Sequence, residues 1–305
     1  MNCFQNGYKG IEVEIIGYTK HPAKVMWDML KQTWIELQNV EYDPKFPVVK
    51  EFIEGSINKR LNPTPQETIL IQCVFKNISR VNLAQLTRHR GWLFQVESQM
   101  PQHVEHNVII PLNIIQSEFY ERAVKLVEES QKLYDDMTKG NDDGKEHTVI
   151  PYQDARYMLL HGQTCDASCS FTLPQLVNVC GQRLENNTAD EINYAFRLLL
   201  KELTTAIEFD KEMDELDKLV YMSSLAKCDC FGANVKKCFT CDDVFGNSFK
   251  RFENANDYVT KATENCKFDF KKSAWYAELL RMRNEEPELL LPGEQEMIES
   301  WSENE

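Results

Sequence analysis

Residues 88–90 place three cationic or potentially cationic side chains in a row, Arg88-His89-Arg90, inside an apolar stretch. Val81, Leu83, Ala84 and Leu86 lead into them, and Trp92, Leu93 and Phe94 follow. Arginine is strongly disfavoured in apolar surroundings unless it is paired, so a partly buried segment of this kind calls for an anion. Planar guanidinium groups suit phosphate oxygens or a carbonyl. The competing reading is a helix C-terminus whose last turn carries cations against the helix dipole.

The remainder of the chain sets the conditions under which an anion would bind. With 305 residues, 42% of them hydrophobic, the chain can bury a full core, as one large domain or as a core with an appendage. The formal charge of −14 argues against a nucleic-acid polymer as partner. It does not exclude a small phosphorylated ligand, because a few arginines set the field within a cleft. No stretch has the apolar length of a transmembrane helix, so no membrane partner is expected. The first ten residues lack the basic region and apolar run of a signal peptide. The ten cysteines therefore read as reduced thiols or metal ligands, and a cytoplasmic location is expected.

Hydrophobic spacing outlines the elements. Val25, Met29, Leu30, Trp34 and Leu37 predict a helix within 21–38, and Pro47 and Pro63 bracket a second. Residues 68–78 are β-rich and predict a strand. A helix from about Arg80 then delivers Arg88-His89-Arg90. Residues 91–116 read as irregular, with Pro101 and Pro111. A long helix follows with Phe119, Ala123, Leu126, Val127, Leu133 and Met137 on one face, then a loop over 139–145. Residues 152–160 suit a short helix, 164–171 a strand and 172–184 a helix. Thr188-Ala-Asp-Glu191 reads as a capping box opening a helix with Ile192, Ala195, Phe196, Leu199 and Leu203 on one face.

There is no Gly-rich phosphate loop or dinucleotide fingerprint, so side chains and helix ends must hold any phosphate. Cys228, Cys230, Cys238 and Cys241 fall within fourteen residues and suit a structural, tetrahedral Zn²⁺ site, with reduced, unliganded thiols as the alternative. Cys165 and Cys169 read as packing residues. From Asn284 to Glu305 there are eight glutamates and no Lys or Arg, the composition of a solvated tail.

Arg88-His89-Arg90, seven further residues and Ser98 resemble the signature of the flavin-dependent thymidylate synthases, the ThyX type. Other blocks extend the resemblance in order. Thr64-Pro65-Gln66-Glu67 is similar to the family's Thr-Pro-x-Glu segment, and Gln85 stands three residues before the first arginine. Asp154-Ala155-Arg156 resembles its Ala-Arg motif, and Asn178 and Arg183 follow at the family's spacing. The resemblance implies an α/β (α+β) fold with a small mixed sheet and helices, assembled as a homotetramer with active sites at subunit interfaces. On this basis residues 1–215 form the catalytic domain, and 216–305 a C-terminal extension with the cysteines and the acidic tail.

The activity implied is flavin-dependent, reductive one-carbon transfer. NADPH reduces FAD, methylenetetrahydrofolate provides the carbon, and C5 of a pyrimidine deoxynucleotide monophosphate, deoxyuridylate by default, receives it. By the resemblance, Thr64, Glu67, Arg88, His89, Arg90 and Asn178 contact the flavin. Gln85, Arg88, Ser98, Arg156 and Arg183 hold the nucleotide. Arg183 is expected near the pyrimidine carbonyls, where it would stabilise charge developing on the ring, and Ser98 is expected to donate to phosphate. The bland alternatives are a solvated helix amide for Asn178, helix-start chemistry for Thr64 and Glu67, a core histidine for His89, and surface salt bridges for Arg156 and Arg183. Glu191 is assigned to the capping box and left out of the site.

The chain departs from the family within the signature loop. Gln95, Val96 and Met100 stand where the family has Asn, Glu and Arg. Two alternatives follow for the function. One is changed specificity, towards deoxycytidylate or a hydroxymethyl product. The other is a catalytically silent flavin- or nucleotide-binding homologue acting through its extension.

Overall fold

The computed structural model describes residues 4–58, 61–100, 104, 107–139, 149–184, 190–225, 274–290, 294–295 and 298–299. At its centre is an antiparallel sheet of four strands, β2 (Glu12–Tyr18), β3 (Leu70–Ser79), β6 (Thr164–Thr172) and β4 (Leu93–Val96), in the order β2-β3-β6-β4. A short parallel pair, β1 (Phe4–Asn6) with β5 (Val108–Ile110), completes the strands described. Alternation sets the register of the main sheet. Ile71, Cys73 and Phe75 of β3 are buried, as are Cys165, Ala167, Cys169 and Phe171 of β6. Gln72, Asp166 and Gln95, on the opposite face, are exposed.

Helices cover the apolar face. These are α1 (Pro22–Leu30), α2 (Pro47–Ile57), α7 (Leu173–Arg183), α8 (Asp190–Glu208) and α9 (Glu215–Leu225). On α8, Ile192, Ala195, Phe196, Leu199 and Leu203 are all buried, as their spacing predicted, and Phe196 lies 5.9 Å from Phe75. Thr172 opens α7 with a reciprocal capping box to Gln175, and Pro174 sits in the first turn where its missing N–H costs nothing. Cys73, Cys165, Cys169 and Cys180 are buried free thiols, in line with the packing role expected of Cys165 and Cys169.

Several expectations need correction. The first helix ends at Leu30 and continues as 3-10 turns, and its buried face is Ala23, Met26, Trp27 and Leu30. Met29 and Trp34 are exposed, so the predicted stripe was out of phase. The stretch 91–116, expected to be irregular, contains β4, β5 and a short helix α4 (Leu112–Ile115). Strands of three and four residues are too short for period-2 alternation to stand out. The 152–160 helix is shorter than expected: α6 (Tyr152–Ala155), then a 3-10 turn Arg156–Met158. In the long helix α5 (Tyr120–Lys139), Val127, Gln131, Tyr134 and Thr138 are buried, whereas Leu126 and Leu133, and Phe119 just before the helix, are exposed.

The described parts of the extension are packed into the same core rather than lying apart from it. Leu216, Val220 and Tyr221 belong to that core, as do Leu279 and Met282 of α10 (Ala274–Glu285), Leu289 and Ile298. Arg197 and Glu294, both fully buried, form a bidentate pair at 2.6 and 2.7 Å. Arg197 also donates to the Leu289 carbonyl and to Asn193 Oδ1. Cys228, Cys230, Cys238 and Cys241 lie outside the described residues. Among the described residues no helix is long and apolar enough to cross a membrane, and no cluster of three metal-ligating side chains occurs.

Candidate active site

The site is built where α3 (Arg80–Leu86) meets α7. Ser79 caps α3 by accepting the Asn82 N–H, and a turn carrying Arg88, His89 and Arg90 follows the helix. His89 N–H bonds back to the Leu86 carbonyl. Gly91 then takes φ +84°, a left-handed conformation that suits glycine. Trp92 returns the chain to the core, 6% exposed and stacked on Phe171 at 4.1 Å. Leu93, by contrast, points outward and is 72% exposed. The premise that the whole Arg-His-Arg segment is partly buried therefore needs correction. Only His89 is partly buried, and Arg88 and Arg90 are exposed.

Arg183, at the end of α7, reaches across to this turn. Its Nε–H donates to His89 Nε2 at 3.0 Å, and its Nη2 donates to the Gln85 carbonyl at 3.3 Å. Because Nε2 accepts, neutral His89 carries its proton on Nδ1. Burial, and then the Arg183 charge, push His89 down to about 4. Burial, and then the facing Arg88 charge, lower Arg183 below the usual arginine range. Among the described residues, no carboxylate forms an ion pair with Arg88, Arg90 or Arg183. The turn therefore gathers cations that repel one another, and an anion bound between them would offset that repulsion.

Glu67 lies at the other end of α7, in a 3-10 turn Thr64–Thr68, and accepts a hydrogen bond from the Thr172 hydroxyl at 2.8 Å. Thr64 and Glu67 are exposed there. Asn178 is exposed on α7, five residues before Arg183 and thus about 140° around the helix from it. The structure thus joins Gln85, His89 and Arg183 by hydrogen bonds, with Arg88 facing Arg183. Glu67 is tied to the opposite end of the same helix.

Ser98 and Arg156 are not part of this cluster within one chain. Ser98 follows β4, is exposed, and its hydroxyl accepts the Met100 N–H. Arg156 occupies the turn after α6, with its Nε–H on the Gln153 carbonyl. The departures also gain a local account. Val96 and Phe94 are the half-buried, core-packed positions of β4, while Gln95 and Glu97 point outward. A carboxylate at 96 would be desolvated against that core. Met100 is 56% exposed. Glu191 was assigned to a capping box, but its carboxylate takes the Ser79 N–H at 2.7 Å and the Ser79 hydroxyl at 2.6 Å. It pins the start of α3, and Thr188 lies outside the described residues.

The profile of Thy1, the thymidylate synthase complementing protein family, matches residues 14–207. The chain belongs to this family. It is accordingly an enzyme of the flavin-dependent thymidylate synthase class, whose reaction is methylation of deoxyuridylate. No curated protein matches this chain. Among solved structures, it is similar to a UMP/dUMP methylase, PolB, from Streptomyces cacaoi bound with 5-Br dUMP. The two are 16% identical with a TM-score of 0.52, over 72% of this chain and 96% of the other, a likeness of fold. Thymidylate synthase X from Helicobacter pylori with FAD and dUMP is 18% identical, with a TM-score of 0.48, over 70% of this chain and 99% of that one.

Sequence reasoning missed Gly91, Trp92 and Gln175. The Gly-Trp pair directly after Arg90 and the Thr172-x-x-Gln175 spacing were the available signals. His89 also makes a prediction. In an imidazole NMR titration, its resonance stays that of the neutral ring at pH 5 and moves only near pH 4. Between pH 6.5 and 4 the unfolded chain takes up this proton and the folded chain does not. His89 therefore makes the fold less stable as pH falls through that window, by about 1 kcal/mol after solvent screening. Asp190, pushed up to about 6 by burial and then by Glu278, contributes the opposite slope. The His89→Asn difference in stability against pH isolates the His89 part.

Proposed function

We propose that the protein transfers a one-carbon unit from methylenetetrahydrofolate to C5 of deoxyuridine monophosphate, with FAD as cofactor and NADPH as reductant. The observation that carries this reading is the cation cluster itself. A chain with 48 acidic residues keeps Arg88 facing Arg183 beside His89, with Arg90 next in the same turn, and none of the three arginines has an ion pair to a carboxylate among the described residues. Such a donor set fits an anionic, planar ligand better than it fits a stabilising salt-bridge network.

The same donors fit a flavin nucleotide. Arg90 would meet its phosphates, and the Nδ1–H of His89 is free to meet a ring carbonyl. Thr64, Glu67 and Asn178 would complete the contact from α7 and the turn before β3. The chemistry FAD supplies when bound is two-electron hydride transfer, drawn from NADPH. Arg183 keeps three further N–H donors beyond the two given to His89 and Gln85, and one of these polarises the pyrimidine carbonyl as charge builds on the ring. Arg88 and Arg156 neutralise the nucleotide phosphate, Gln85 orients the base, and Ser98 donates to a phosphate oxygen.

Arg156 and Ser98 stand apart from Arg183 within one chain, which supports a homotetramer in which one subunit completes the site of another. Phe119, just before α5, and Leu126 and Leu133 on it are exposed at seven-residue spacing, an apolar face suited to such an assembly. Four described cysteines remain thiols, which fits a reducing compartment, the cytoplasm.

Product mass tests the reading. Supplied with FAD, NADPH and methylenetetrahydrofolate, the protein is expected to convert deoxyuridylate to deoxythymidylate and to leave deoxycytidylate unchanged. A modified deoxycytidylate or a hydroxymethyl product would mean that the loop with Val96 and Met100 reads another substrate. Oxidation of NADPH with neither nucleotide altered would overturn the pyrimidine assignment.

A further inference from the structure

We infer that Gln175 is a positioning residue for the Arg88-His89-Arg90 turn, serving as the wall on which Gly91 seats. The inference rests on the reading that this turn holds nucleotide and flavin. A methyl group placed on the Gly91 Cα would overlap Gln175 Nε2 and lie 3.3 Å from its Cδ. The two residues are thus in contact with no room for a side chain at position 91. Gly91 also takes φ +84°, so the turn reaches this contact through a conformation that other residues adopt with strain.

The wall is itself held. Gln175 Oε1 accepts the Thr172 N–H at 2.9 Å in the capping box of α7, and the Thr172 hydroxyl donates to Glu67. The Gln175 amide cannot swing away from Gly91 without giving up that cap. Eight residues later, about 12 Å along the same helix, Arg183 holds His89 and the Gln85 carbonyl. One rigid helix therefore mounts the turn at two points, Gly91 at its start and His89 at its end. Mounting on a helix fixes a binding constellation more tightly than a free loop does. The contact also links the Thr64–Glu67 segment to Arg88-His89-Arg90 through Thr172 and Gln175, two stretches that share no sequence motif.

Two variants of the full chain separate wall from cap. Gln175→Ala removes both, whereas Gln175→Met removes the cap and keeps a side chain of similar length against Gly91. Both are expected to lower Tm by about 2–4 °C and to speed exchange in the first turn of α7. In hydrogen exchange of the peptide covering residues 87–92, Gln175→Ala is expected to exchange about tenfold faster, while Gln175→Met stays close to the wild type. The KM for deoxyuridylate should follow the same split, rising about tenfold in the alanine variant alone. Unchanged exchange of the turn in Gln175→Ala, or an equal rise in Gln175→Met, would overturn the inference. If the wild-type protein does not turn over deoxyuridylate, the catalytic reading fails, and the exchange data still decide the positioning role.

Discussion

Glu294→Ala is expected to lower the stability of the protein by about 3–5 kcal/mol, the cost of leaving a buried charge without its partner. The Arg197 and Glu294 side chains have no solvent exposure, and their two hydrogen bonds of 2.6 and 2.7 Å offset part of the cost of desolvating both charges. Removing the carboxylate leaves a guanidinium buried on α8 beside neutral partners such as the Leu289 carbonyl and Asn193 Oδ1. Replacing both residues with apolar ones, Arg197→Met with Glu294→Leu, is expected to recover most of the loss, because the desolvation penalty disappears with the pair. Equilibrium urea unfolding of the full chain measures both. A loss below about 1 kcal/mol in Glu294→Ala would show that water reaches the pair and that the chain around Glu294 is not locked to α8.

Arg183→Ala is expected to lower kcat for deoxyuridylate about 10²–10³-fold, the range for losing a donor aimed at developing negative charge. Arg183→Lys should rescue little. One ammonium group cannot donate to His89 Nε2 and the Gln85 carbonyl in the fixed fork of a guanidinium while keeping a donor for the base. His89 gives an independent readout. Without the neighbouring positive charge its titration moves upward from about 4, and it stays below 6.5 because burial is the larger cause. A kcat within about twofold of wild type in Arg183→Ala would remove Arg183 from the reaction and leave it as a brace for the turn.

Much of the fold was legible because burial writes a period into the chain. β3, β6 and α8 are long enough for that period to dominate: the two strands lie where strands were expected, and the buried residues of α8 fell where the pattern placed them. α1 was misread by phase: Trp27 and Met26 face the core while Trp34 stays outside, and a nine-residue helix offers too few turns to fix which apolar residues are inside. The exposed Phe119, Leu126 and Leu133 misled for a different reason. An apolar stripe reports a face that wants cover, and not whether its own chain or a second copy provides it.

The site divides in the same way. Arg88, His89, Arg90 and Arg183 were singled out from residue type and spacing together with a family resemblance, since the chemistry proposed for them resides in the side chains themselves. The charge state of His89 was not, because it depends on burial and on an arginine 94 residues away in the chain. The bond from Ser79 to Glu191 was not legible, because local spacing pointed only to a cap, while the fold brought Ser79 to the carboxylate from 112 residues away. Gly91 and Gln175 carry no chemistry by type and acquire a role only through contact. The sequence alone therefore determined the family, the long strands and helices and the cationic side chains. Tertiary structure alone decided which of them meet, which stay charged and which are held in place, because desolvation and hydrogen-bond geometry depend on neighbours that chain order does not specify.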